Sequence, residues 1–183
     1  MIENYDEYKA LNAITDEVIV NLKRIVFATI SEEDIVDFIH WHCQKVLQIA
    51  KEKNNSKEVA RAINLNTYEV LGTVMGDQRR VDIDVLVRQM KNTGHIFIVI
   101  HNHPSDMHFS MVDIKTFINA DNMTILIVLG NNGSVYILEK TKQLALNEIM
   151  SVRKVLINWK NGLLDFEEVI EHIKAFGIIY NEM

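Results

Sequence analysis

Two five-residue runs, Ile96–Ile100 and Ile125–Leu129, contain only aliphatic and aromatic side chains, and the interval between them carries helical spacing. Runs of that length and β-branched content read as strands buried on both faces, and such strands pack into sheets covered by helices. Neither run approaches the about 20 apolar residues that cross a bilayer. The pair therefore predicts an α/β (α+β) class, a sheet core under helical cover, and no membrane span.

The rest of the chain arranges itself around that core. Leu11, Ile14, Val18, Ile19, Leu22, Ile25 and Val26 recur at helical spacing. Ser31-Glu-Glu-Asp34 then offers a capping-box-like start for a second helix through Ile35, Phe38, Ile39, Val46 and Ile49. The polar stretch Lys51–Glu58 is a hinge, followed by a short predicted helix from Ser56 to about Asn66. Val70–Met75 reads as a strand, Val81–Lys91 as a helix and His95–Ile100 as a buried strand. Helix is expected at Ser110–Ala120, strand at Thr124–Leu129, and a tight turn at Asn131-Asn-Gly133 leading into a strand at Ser134–Leu138. Leu144–Trp159 is an amphipathic helix ended by Asn161-Gly162, and Asp165 caps a last helix to about Phe176. The expected division is a helical N-terminal extension over residues 1–55, a core over 56–140, and C-terminal helices over 141–183 packing on the core.

Composition narrows the function. With 19 basic and 25 acidic residues, the formal charge is -6, which argues against nucleic acid as the main partner. A single cysteine forms no internal disulfide, and the acidic, polar start MIENYDEYKA is no secretory signal. Both point to a reducing, cytoplasmic setting.

One segment carries chemistry. The strand from His95 ends in His101-Asn102-His103-Pro104-Ser105. Residues two apart in an extended chain point the same way, so His101 and His103 project together as two imidazoles sharing a metal require. Asp113 follows ten residues after His103, with Ser110 one helical turn before it on the same face. Two histidines and one aspartate leave a fourth zinc position open, the pattern of a catalytic site. A general base is still required.

HNHPS followed by S-x-x-D resembles the JAB/MPN (JAMM) metalloprotease domain, and HNHPS in particular looks like its bacterial RadC branch. Glu69-Val-Leu-Gly72-Thr-Val-Met-Gly76 is similar to the strand that carries the family's catalytic glutamate. The resemblance covers roughly residues 56–140. It implies a JAB/MPN-like mixed sheet with flanking helices, Zn2+ held by His101, His103 and Asp113, Glu69 as the proton-shuttling base, and Ser110 as support for the oxyanion. The implied activity is hydrolysis of an amide, an isopeptide or peptide bond. The implied partner is a protein or peptide substrate, with ubiquitin-like tails among the candidates. Two other readings stand beside it: a catalytically inactive JAB-like scaffold or interaction domain, and a DNA-repair-associated RadC-like factor.

One departure bears on the site. Six residues separate His103 from Ser110, where the family pattern has seven. A loop can absorb the deletion; with a fixed helix start it would instead rotate Asp113 by about 100°. Asp106 and His108 then become substitute ligands. Plainer roles also exist: Ser110 and Asp113 as an N-cap and its N3 partner, Glu69 as an acid at a strand entrance, and Glu58 as its rival for the base. His40-Trp41-His42-Cys43 also spells H-x-H, but on a helix residues two apart diverge by about 200°. Those residues are expected to be surface or core, and His95 and His172 to be structural.

Overall fold

The computed structural model describes residues 13–91 and 93–183. The helical stripe expected from Leu11 therefore begins outside the described residues. Six strands form a single mixed sheet: β1 (Val59–Asn64), β2 (Val70–Met75), β3 (Phe97–His103), β4 (Met123–Gly130), β5 (Val135–Lys140) and β6 (Ile178–Glu182), in the order β2-β1-β3-β4-β5-β6. Only β3 and β4 run parallel; every other neighbouring pair is antiparallel. The helices are α1 (Asp16–Val20), α2 (Glu33–Asn54), α3 (Asp84–Met90), α4 (Met111–Asn119), α5 (Leu146–Lys160) and α6 (Phe166–Lys174). The α/β class read from the sequence holds.

The sheet has helices on both faces because its central strands are apolar on both. On one face, Ile98, Ile100, Ile125, Ile127 and Leu129 pack with Val36, Ile39, Val46 and Leu47 of α2. On the other, Phe97, Val99, Leu126 and Val128 pack with Ile114, Phe117 and Ile118 of α4, together with residues of α3, α5 and α6. His101 and His103 belong to the second face, two and four residues beyond Val99 in the alternation of β3.

Three local expectations change. The stretch from Ser56 to Asn66 is not a helix but β1. Asn55 and Ser56 take positive φ values of 52° and 58°, which stop α2 and turn the chain. Val59, Ala60, Ala62 and Ile63 are then buried on alternate faces with a strand on either side. The stripe from Ile14 to Val26 is helical only over α1, because Leu22, Ile25 and Phe27 reach the core from an extended chain. The second helix starts at Glu33 after Glu32, which makes no side-chain cap, so Ser31 does not open it. β6 was not expected at all. Gly177 at φ 79° turns the chain after α6 so that Ile178–Glu182 pairs with β5.

Two buried charged side chains on β5 tie distant segments to the sheet. The Glu139 carboxylate, 0% exposed, accepts hydrogen bonds from the Ala28 and Thr29 amides, the Thr29 hydroxyl and the Asn181 amide. Lys140 Nζ donates to the carbonyls of Phe117 and Ala120, at 2.7 and 2.8 Å, and so anchors the C-terminal end of α4. Glu139→Ala strands four donors, and the expected loss is at least about 3 kcal/mol in urea unfolding; an unchanged midpoint would contradict that role. Burial lowers the Lys140 amine to about 8. Between about pH 8 and the ordinary lysine value near 10.4 the unfolded chain holds more protons than the folded one. This residue's contribution to stability therefore rises with pH through that window. Urea midpoints of wild type should climb relative to Lys140→Met across it.

Candidate metal centre

The site is built from the end of β3, the start of α4 and the segment leading into β1. His101 and His103 are 1% and 8% exposed, and Asp113 is 8% exposed. His101 Nε2 lies 3.0 Å from His103 Nε2 and 3.3 Å from Asp113 Oδ1, and His103 Nε2 lies 3.4 Å from Asp113 Oδ2. These three residues are positioned to hold a metal ion. Donors about 2.0–2.1 Å from a tetrahedral zinc sit roughly 3.3 Å from one another, close to the separations here.

Hydrogen bonding sets the polarity of the cluster. His103 Nδ1 donates to the Met107 carbonyl at 3.0 Å, which leaves Nε2 as the ring nitrogen facing Asp113 Oδ2. A carboxylate and an imidazole nitrogen facing each other in a buried site require a proton or a metal ion between them. Among the described residues the Nδ1 of His101 is buried without a hydrogen-bond partner, so that ring is held by packing and by its Nε2 contacts. Burial would raise the Asp113 carboxyl, but the two imidazoles outweigh it and hold it well below the usual carboxylate range. Burial lowers His101. For His103 burial acts the same way, yet Asp113 and Glu58 more than offset it and raise the ring.

Ser110 and Asp113 form a capping box on α4. The Asp113 amide donates to Ser110 Oγ at 3.2 Å, and the Ser110 amide donates to Asp113 Oδ2 at 2.7 Å. The cap and the candidate ligand are thus one device: the box fixes the carboxylate that faces the histidines. The shortened loop does not rotate Asp113 away. The six-residue loop turns at Asp106, φ 56°, before α4 begins. Asp106 and His108 do not replace Asp113. Asp106 Oδ1 accepts from the Asn132 amide, and the His108 ring stacks on Phe166.

No protein-family model, curated protein or solved structure matches the chain. The site is therefore read from its own geometry, and there the two candidate bases separate. Ala60 pairs with His101, and continuing that antiparallel register by two residues sets Glu58 across from His103, on the same face. Glu58 is 6% exposed, its carboxylate accepts from the Val81 amide, and His103 and Asp113 act on it electrostatically. Burial pushes its carboxyl up to about 7, with His103 opposing and Asp113 adding to the rise. Glu69 lies at the other end of the sheet. Its carbonyl accepts from Asn64, four residues along β1 from Ala60, roughly 13 Å from the level of His101. Its side chain is exposed and accepts from the Thr67 hydroxyl.

The middle residue of H-N-H has a role that the motif does not reveal. Asn102 is fully buried on the face opposite the histidines. Its Oδ1 accepts from the Val59 amide at 2.8 Å, and its Nδ2 donates to the Lys57 carbonyl at 3.3 Å and to Asn131 Oδ1 at 2.8 Å. Asn102 thus grips the backbone on both sides of Glu58. Strand alternation alone pointed Asn102 away from the histidines; its partners were visible only once β1 was placed. Asn102→Ala should destabilise the fold by about 2–3 kcal/mol and speed hydrogen exchange at the Val59 amide. Exchange at the wild-type rate would show that the clamp is idle.

The other histidines stay apart from this centre. His42 is buried on α2 with Nδ1 3.1 Å from Arg61 Nη1, and burial, then Arg61, lowers it to about 4. His40 shares no ligand cluster with it among the described residues. His95 contacts Asn64 Nδ2, and His172 Nδ1 donates to the Glu168 carbonyl.

Proposed function

We propose that the protein is a zinc-dependent amide hydrolase of the JAB/MPN type, similar to the RadC branch, acting on an isopeptide or peptide bond. The observation that carries this reading is the convergence of three buried donor atoms within 3.0–3.4 Å, with a buried carboxylate across the strand from one of them. His101, His103 and Asp113 would hold the ion. A zinc ion there would supply Lewis-acid polarisation of the scissile carbonyl and lower the pKa of a water.

Glu58, in place of Glu69, serves as the general base. Its carboxylate accepts the proton of the attacking water and passes it to the leaving amine, which suits a group titrating near neutrality. Ser110 is exposed at the mouth of the site. Its Oγ accepts from the Asp113 amide, which leaves its own proton free to donate to a developing oxyanion. A non-catalytic scaffold would be favoured by Asp113 turned away from the histidines, and Asp113 faces them. No helix among the described residues is long and apolar enough to cross a membrane.

Metal analysis of the purified chain tests the site. Zinc near one per chain is expected in wild type, with sharp loss in His103→Ala and in Asp113→Ala. A wild type that takes up no zinc after reconstitution ends the hydrolase reading. Amide hydrolysis, screened on isopeptide- and peptide-linked fluorogenic substrates, separates the two acids. Glu58→Gln should keep zinc and lose about 10²–10⁴-fold in kcat, whereas Glu69→Gln should match wild type. The reverse pattern would return the base to Glu69.

A further inference from the structure

We infer that His108 is a positioning residue: its stack on Phe166 holds the Met107 carbonyl in place, and that carbonyl orients the metal ligand His103. This rests on the metal reading above and concerns how the ligand set is kept in register. Where a ligating histidine's second nitrogen is hydrogen-bonded, that bond sets both the tautomer and the ring plane. In this chain the fixing group is a backbone carbonyl, Met107 O, 3.0 Å from His103 Nδ1. The Met107 side chain is 59% exposed and is poorly placed to hold its own carbonyl. The residues on either side must do so.

Both flanks are anchored. On the N-terminal side, Asp106 Oδ1 accepts from the Asn132 amide at 2.8 Å, and its carbonyl accepts from the Tyr136 hydroxyl at 3.3 Å. On the C-terminal side, the His108 ring lies 3.4 Å from the Phe166 ring, within 8° of parallel, and its Nδ1 donates to the Phe109 carbonyl at 3.1 Å. Phe166 is the first residue of α6, fixed by the capping box of Asp165 and Glu168. The C-terminal helices therefore reach the loop beside the candidate metal centre through the His108–Phe166 stack, with Trp159 beside it. That contact also explains how six residues suffice between His103 and Ser110: the loop is tied down from outside rather than by its own length.

Zinc affinity of the full chain, measured by competition with a chromophoric chelator, tests this without any substrate. His108→Ala should weaken zinc binding about 10- to 100-fold while its thermal midpoint stays near that of wild type. An NMR signal from the hydrogen-bonded Nδ1 proton of His103 is expected in wild type, and in this variant it should broaden or vanish. His108→Phe keeps the stack and should restore both. Wild-type affinity in His108→Ala overturns the inference, as does a His108→Phe chain as weak as the alanine variant. If His108→Ala fails to fold, Tyr136→Phe removes only the hydroxyl on the Asp106 carbonyl. It should then give a smaller fall in the same direction; the stack itself is tested by Phe166→Leu, whose wild-type zinc affinity would overturn the inference. His103→Ala run alongside separates the two readings: a wild type no better than His103→Ala removes the metal site itself, and this inference with it.

Discussion

The parallel pairing of β3 with β4 is the constraint from which the site follows. Parallel neighbours cannot be joined by a tight turn, so the chain leaving β3 must cross one face of the sheet, usually as a helix, before β4 begins. That crossing element is α4, and its first turn necessarily lies near the end of β3. His101 and His103 stand at that end, on the face that α4 covers, and Asp113 occupies the first turn. The antiparallel approach of β1 on the other side of β3 brings Glu58 to the same level. Strand direction, before any side-chain chemistry, places four titratable groups at one corner.

The electrostatics of that corner depend on burial. A carboxylate and two imidazoles out of water interact far more strongly than at a surface, and an uncompensated charge there is expensive. Asp113 answers this with the Ser110 amide and both ring nitrogens. Glu58 takes a backbone bond from Val81, and burial lifts its carboxyl toward neutrality. One acid is thus held ionised and the other is left able to exchange a proton, by environment and not by residue type. The surrounding polar contacts, Asn102 on the backbone of Glu58 and the Met107 carbonyl on His103, fix orientation and leave the reactive atoms uncovered.

Much of the core was legible from local pattern. Ile96–Ile100 and Ile125–Leu129 read as strands because unbroken β-branched runs have few other uses, and the Ser110–Asp113 spacing marked the start of α4. The misses share a cause. The segment Val-Ala-Arg-Ala-Ile-Asn has no strong period of its own, and it is a strand because β2 and β3 supply hydrogen bonds on both sides. β6 is short and weakly patterned, and depends on the open edge of β5. Residues 14–27 carry helical spacing, but Leu22 and Phe27 reach the core from an extended chain whose amides Glu139 captures farther along. Tertiary partners override local preference wherever that preference is weak.

By itself the sequence determined the class of fold, the pair of histidines that project together, and the helix start that carries Asp113, because each depends on periodicity within a few residues. It named Glu69 over Glu58 as the candidate base. Both are acids near the ends of strands, and spacing to downstream glycines pointed to Glu69, at the end of the sheet away from the histidines. Only the register of β1 against β3 places Glu58 opposite His103 and leaves Glu69 exposed at the far end. Nor could spacing say whether a loop one residue short would keep Asp113 in place. In the fold that loop is contacted by Phe166, Tyr136 and Asn132, residues distant in the chain. Register and loop anchoring are relations between segments, and a one-dimensional pattern carries no information on which segments will meet.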